Sequence, residues 1–486
     1  MTIGFPHVPH GGHAFSDFNA RRREGLALVD RRGMLKAGLA GMAGLSLPAL
    51  LRSRAEAAES GRPNSDAKSV ILLWMAGGPS HIDTWDPKPE RPYENRGPFG
   101  VISTRLPGVF LCEHLPKQAA MLDKFTILRS VDARDSSHEP NMVLQTGNNE
   151  AEPRINRNGH NYPAIASIIA KMRGPNHRSM PPYVAFMKSN SHIAFGGWLG
   201  KQYDPFIADT AAKLPIYTNV GVDTGQMTGA PLFNLPRGLN ADRIHDRRAL
   251  LKDFDRLRSE VDAGGSMQAV DSYGRQAVEM VLGRRAQQAF DIEREPAASR
   301  ERYGRHLWCR QALLARRLVE AGVSFVTLDL SYHSASGTWD NHGDNIPPYG
   351  GITRGLGPLL PLFDHLFTTL VTDLEERSLL DNTLVIAMGE FGRTPQIGTQ
   401  GSVDGRNHWP AVMSMLLAGG GFRHGQIIGA TEPDGGQIAA RPITPGDLAA
   451  TIYHHMQVPL DATYLDPRGR PRNIVENGGR PISELV

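Results

Sequence analysis

Val70-Ile71-Leu72-Leu73-Trp74-Met75, halted by Ala76-Gly77-Gly78-Pro79, is the stretch on which the reading of this chain turns. Six consecutive apolar residues show neither the alternation of a half-solvated strand nor the spacing of an amphipathic helix. A short apolar run stopped by glycine and proline predicts a strand covered on both faces, as in parallel sheets. Outward from it, Phe125–Val131, Pro182–Met187, Val323–Leu330 and Thr383–Met388 predict further strands. Between them, Lys117–Asp123 and Gln311–Ala321 read as helical, and Leu359, Leu362, Phe363, Leu366, Leu370 and Leu374 line one face of a longer helix. Helices alternating with apolar strands predict an α/β fold with a central, mostly parallel sheet between helices. Residues 240–310 differ in texture, with charged and apolar residues at helical spacing. They predict a helical insertion packed on the main domain, its Arg and Glu runs forming solvated faces.

In open parallel sheets ligands sit outside the carboxyl ends of the strands. Polar residues that follow each strand are therefore the candidates. Asp83 follows the first, in Ser80-His81-Ile82-Asp83-Thr84. His333 and then Asp340-Asn341-His342-Gly343-Asp344 follow Val323–Leu330. Glu390-Phe391-Gly392-Arg393 and then Arg406-Asn407-His408 follow Thr383–Met388. Carboxylates mixed with imidazoles suit a divalent cation: Ca or Mg through the oxygens, Zn or Mn through nitrogens as well. Each group also has a purely structural reading. Asp83 reads as a cap, Asp340-Asn341-His342 as an Asx turn, Glu390 and Arg393 as a mutual ion pair, and His408 as a packed ring beside Trp409.

The stretches "LLWMAGGPSHIDTWDPKP", "TWDNHGDN", "MGEFGRTP" and "GRNHWP", in this order, resemble the landmarks of the DUF1501 family. These are sulfatase-like proteins of the alkaline phosphatase-like superfamily, and the resemblance runs from about Val70 to the C-terminus. It implies that Asp83, Asp340, His342, Glu390 and His408 hold the cation, with Asp344 as an alternative ligand. Phe391 stands where the superfamily has a metal-binding histidine, which implies one cation rather than a pair roughly 3.5–4 Å apart. The nucleophile position of sulfatases falls on Ser137 or its neighbour Ser136. The proline and arginine of the formylglycine signature are missing there, so the implied attacking group is an unmodified serine activated by the metal or, alternatively, an activated water. His138 reads as a ligand or general acid, and Arg393 as a bidentate contact to an anionic group. The implied activity is hydrolysis of sulfate or phosphate esters, sulfated polysaccharide among them. From another class, the alternative is a non-catalytic cell-surface binding or assembly module that keeps the fold.

The N-terminus carries a different message. Arg31-Arg32-Gly33-Met34-Leu35-Lys36 leads into a Gly-, Ala- and Leu-rich run, and Ala55-Glu56-Ala57 follows as a cleavage pattern. Residues 1–57 thus resemble a twin-arginine signal peptide, implying the twin-arginine export machinery as a partner and a periplasmic or cell-surface location. An uncleaved leader acting as an anchor is the rival reading. Residues 58–486 would then be a single alkaline phosphatase-like domain. Eight of the 53 basic residues but only four of the 50 acidic ones lie up to Ala57. Without them the remainder is near neutral, so no bulk charge draws nucleic acid to it. Cys112 and Cys309, the only cysteines, allow at most one disulfide and no four-thiolate zinc site.

Overall fold

The strand that begins at Ser69 sits in the middle of an eight-stranded sheet, with parallel neighbours on both sides. The computed structural model describes residues 67–138, 140–209, 284–332, 338–343, 345, 349–398 and 401–486. All of these belong to one unit, Ser65–Val486. The sheet strands are β1 (Ser69–Trp74), β2 (Phe125–Val131), β3 (Tyr183–Phe186), β4 (Phe206–Asp209), β5 (Phe325–Asp329), β6 (Thr383–Met388), β7 (Met413–Gly419) and β8 (Gln426–Ile428). Their order is β8-β2-β7-β6-β1-β5-β3-β4. Only β7 runs against the rest, pairing antiparallel with both β2 and β6. The fold is therefore α/β with a mostly parallel central sheet.

The unbroken apolar run of β1 is explained by what covers it. Ile71, Leu73 and Met75 enter one core cluster, together with residues of α2 (Leu307–Ala321) and α3 (Gly357–Glu376). Val70, Leu72 and Trp74 enter the other, with residues of α1 (Ile165–Met172) and α4 (Pro445–His455). Successive side chains of a strand point to opposite faces, so burial on both sides demands apolar residues at every position. Truncating Leu73, which is 0% exposed, to alanine would cost about 2–5 kcal/mol.

Helix ends follow local chemistry. α2 starts four residues before Gln311, where the His306 side chain accepts from the Trp308 N–H. It stops at Gly322, whose φ of 111° is left-handed and where a Cβ would stand 2.4 Å from His177 Cβ. α4 opens with a reciprocal capping box between Thr444 and Asp447, with Pro445 in the first turn.

Strands β2 and β6 span the predicted residues, while β1, β3 and β5 lie within one or two residues of them. β4, β7 and β8 were not foreseen. Arg284–Phe290 and Ala297–Tyr303 are helical, but most of the proposed 240–310 insertion, like the whole leader, lies outside the described residues. Cys112 and Cys309 are buried free thiols. Among the described residues no helix is long and apolar enough to cross a membrane.

Candidate metal centre

Because β5, β1 and β6 are adjacent and parallel, their carboxyl ends emerge side by side, and the loops that follow lie on one another. Trp339 N–H donates to Ala76 O (2.9 Å) and Met75 N–H to Met388 O (2.8 Å). Gly77 has φ 113°, and a Cβ there would meet Asp340 N at 2.2 Å; at Gly78, φ 72°, it would meet Phe391 O at 2.5 Å. Both glycines are thus required by close backbone approach as well as by conformation. The loop after β2 arrives from the same side, fastened where Ala133 N–H donates to Pro410 O (3.0 Å). His408-Trp409 pairs antiparallel with Gly392-Arg393, which lays the His408 segment against the loop after β6.

Three side chains meet at the centre. His138 Nε2 lies 2.8 Å from His408 Nε2 and 3.1 Å from Asp340 Oδ2, and His408 Nε2 lies 3.8 Å from that oxygen. Around them stand three supporting groups. Glu390 Oε1 accepts from Gly77 N–H (2.8 Å) and sits 2.5 Å from His138 Nδ1. His342 Nδ1 is 2.5 Å from Asp340 Oδ1, and Arg393 Nη2 is 2.7 Å from the same oxygen. Phe391 packs 4.6 Å from the His138 ring. Asp340, Glu390 and Arg393 are fully buried, and His138 nearly so. The His408 side chain is 42% exposed and forms the solvent edge of the group.

Electrostatics follow from this packing. Burial pushes the Asp340 carboxyl up, but the Arg393 charge and the imidazoles of His138, His342 and His408 hold it well below the usual carboxylate range. Burial likewise opposes a charge on His138, yet Asp340 and Glu390 together raise it above its ordinary value. His408, whose partial burial is opposed by Asp340 and reinforced by Arg393, is lowered to about 4.

The residues fit a divalent cation. Buried carboxylate oxygens normally receive hydrogen bonds. Glu390 Oε2 and Asp340 Oδ2 are buried and receive none among the described residues; the 3.1 Å approach of His138 to Asp340 Oδ2 is an ion-pair distance without hydrogen-bond geometry. Separations of 2.8, 3.1 and 3.8 Å bracket the roughly 3.3 Å between ligand atoms of a tetrahedral ion with bonds of about 2.0–2.1 Å. Two nitrogens and an oxygen favour zinc or manganese over calcium.

The predicted residues divide accordingly. Asp340, His408 and His138 are brought together within 4.8 Å. Glu390 and His342 stand one step back, each fixing the ring or carboxylate in front of it, an arrangement typical of groups that orient metal ligands. Asp83 does not join the cluster. Its Oδ2 accepts from Arg406 Nε (2.6 Å) and Ser80 Oγ (2.5 Å), and its Oδ1 from Arg406 Nη2 (3.2 Å). The anion contact expected of Arg393 is corrected for a related reason. Its guanidinium is buried and committed to Asp340 and to the carbonyls of Gly77, Gly78 and Arg406, with no bond to Glu390. Ser136 and Ser137 are half-buried, and Ser136 Oγ itself is buried without a partner among the described residues. Asp344 and His333 lie outside the described residues. Arg406 was missed as a functional residue: nothing in "GRNHWP" says which acid it meets.

The fold and site together define an α/β protein with a candidate His/Asp metal cluster at the strand ends of a mostly parallel sheet. The chain belongs to the DUF1501 family, proteins of unknown function, whose model matches residues 67–486. Similar solved structures include Ps i-CgsB in complex with k-i-k-neocarrahexaose, at 12% identity over 81% of this chain and 72% of that one, TM-score 0.38. The PsFucS1 sulfatase from Pseudoalteromonas sp. matches at 12% over 84% and 72%, TM-score 0.33. Phosphonate monoester hydrolase SpPMH from Silicibacter pomeroyi matches at 12% over 86% and 76%, TM-score 0.33. None of the curated proteins matches the sequence. At these distances the likeness decides nothing about chemistry, which rests on the residues above.

Proposed function

We propose that this chain is an exported, metal-dependent hydrolase of sulfate or phosphate esters. The observation that carries the reading is the cluster of His138, Asp340 and His408, flanked by the orphaned oxygens of Asp340 and Glu390. Leaving a buried anionic oxygen without a donor is costly, and a cation held by Asp340 would relieve that cost at its Oδ2. A bound cation supplies positive charge to the ester oxyanion as it develops. The chain's own residues do the rest. Glu390 and the Gly77 amide fix the His138 ring, Arg393 and His342 hold Asp340 ionised, and His408 faces solvent at the entrance. Ser136 and Ser137, just before His138, are the candidate nucleophiles, with the His138 imidazole able to carry a proton when no cation is held. Sulfated polysaccharide is the substrate class implied by the family resemblance, while phosphate esters suit the same groups. Export rests on the residue pattern of the leader.

The test is metal analysis of the purified full chain, beside His408→Ala, with both assayed on aryl sulfate and aryl phosphate esters. One cation per chain and one ester activity, both lost in the variant, are expected. Folded protein with neither would sink the reading. The packing of Phe391 on His138, where the superfamily has a further ligand, favours a second reading, a non-catalytic module holding a structural ion. One cation with no turnover on either ester would select it.

A further inference from the structure

Arg406 is fully buried, and all its guanidinium nitrogens are committed. Nε and Nη2 meet both oxygens of Asp83 at 2.6 and 3.2 Å. Nη2 also donates to Asn95 O (2.6 Å), and Nη1 to Thr394 O (3.0 Å) and Pro395 O (2.7 Å). Its own backbone N–H donates to Asn341 O (3.1 Å), between Asp340 and His342, and its carbonyl accepts from Arg393 Nη1 (3.3 Å). One residue therefore ties the loop after β1, the loop after β6 and the Asp340 loop together, two positions before His408. Asn407 continues the register, donating its N–H to Thr394 Oγ1 (3.0 Å) and accepting from the His408 N–H on its side chain (2.8 Å).

Asp83 is held equally tightly from its own side. Ser80 Oγ donates to it at 2.5 Å, and at Gly97 a Cβ would stand 2.2 Å from Oδ1. For Asp83 to turn toward a cation it would have to abandon Arg406, and a buried guanidinium stripped of its counter-ion is strongly destabilising.

We propose that Asp83 and Arg406 form a buried clamp that sets the His408 imidazole against Asp340 and His138, so that Asp83 acts as a positioning residue and not as a ligand. The proposal rests on the reading that the cluster takes a cation, but the clamp acts on His408 whether or not one is bound. Groups that orient ligands from behind typically change metal affinity by about 10–100-fold when altered.

The experiment titrates cobalt(II) into the full chain and follows its visible absorption, comparing wild type with Asp83→Asn, Arg406→Lys and the double variant Asp83→Asn/Arg406→Gln. Each single variant is expected to bind one cobalt about 10–100-fold more weakly, with a changed absorption band. The double variant recovers part of the loss, because no unpaired buried charge remains. Complete loss of cobalt in Asp83→Asn, with Arg406→Lys unaffected, would make Asp83 a ligand and overturn the clamp. Unchanged binding in both, or losses that simply add in the double variant, would overturn it too. The imidazole resonances of His408 in cation-free protein give a second readout: they move in both single variants and return toward wild type in the double one. If wild type takes up no cobalt, the hydrolase reading fails, and the clamp stands or falls on whether those resonances move. Should the single variants fail to fold, Ser80→Ala, which removes one donor to Asp83, is expected to shift the same resonances by less, and an unmoved spectrum would count against the clamp.

Discussion

The buried charges around Arg316 and those around Asp340 both combine arginine with Asp and Glu, and they end in opposite states. Arg316 spends Nη2 on Glu295 (2.6 Å), Nη1 on Glu320 (2.7 Å) and Nε on Asp373 (2.9 Å). Glu295 also takes Arg317, while Asp373 also takes Arg377 (2.9 Å) and the Tyr303 hydroxyl (2.9 Å). The oxygens of Glu295 and Asp373 and the nitrogens of Arg316 are all answered within the protein, so the network ties α2 to α3 and its buried groups have nothing left for a ligand. At Asp340 only Oδ1 is answered in full, by Arg393 and His342, and Glu390 keeps one oxygen bare. Buried charge that is satisfied stabilises an arrangement, whereas buried charge left incomplete asks for a partner the chain does not supply.

The largest effect that would sharpen this contrast is expected of Asp340→Asn. It should empty the site of cation and lower stability by about 3–5 kcal/mol, since Arg393 is stranded without its counter-ion. Metal analysis and urea unfolding of the same protein check both, and a cation-loaded variant would break the comparison. Arg316→Met should cost a similar or slightly smaller amount of stability, about 3–5 kcal/mol, with cation content unchanged. Loss of cation in that variant would show that the two networks are coupled.

Glu390→Gln comes next. The fold should hold while cation affinity falls about 10–100-fold, because the side chain that orients His138 is weakened and not removed. Isothermal titration with zinc measures it, and an abolished site would mean that Glu390 binds the ion directly.

The smallest effect concerns pH in the cation-free protein. His138 is raised in the folded state from 6.5, so its contribution to stability is full below 6.5 and is lost as pH rises through its higher folded value. His408 is lowered to about 4 from 6.5, so it costs stability as pH falls from 6.5 toward 4. Thermal melts of wild type and His138→Gln on both sides of 6.5 should therefore differ most on the acid side and converge as pH rises. A cation held by His138 would compete with its proton, so affinity should climb over the same interval. A gap that widens with rising pH would contradict the assigned direction.

Much of the scaffold was legible because double burial leaves little freedom of composition. β1 and β6 had to be apolar beyond their first residues and β5 largely so, and glycine had to stand where Gly77 and Gly78 meet Asp340 and Phe391. β7 escaped notice although Met413–Gly419 is fully buried, since a short apolar run does not declare its direction or even its period. The edge strands β4 and β8 are only four and three residues long, too short to show a pattern. At the site, the strand-end position of the Asp340, Glu390 and His408 segments was readable from the spacing of polar residues after apolar runs.

The sequence alone therefore determined the α/β class, the sheet's central strand, and the loops where ionisable residues would gather, because those follow from local burial and chain stops. Which charges are answered and which are left bare was decided only in the tertiary structure. Arg406 and Arg393 are both arginines near the same loops, yet one closes both oxygens of Asp83 and the other one oxygen of Asp340. That difference depends on how distant segments pack, Asp83 and Arg406 being 323 residues apart in the chain, and local sequence patterns do not encode such juxtapositions.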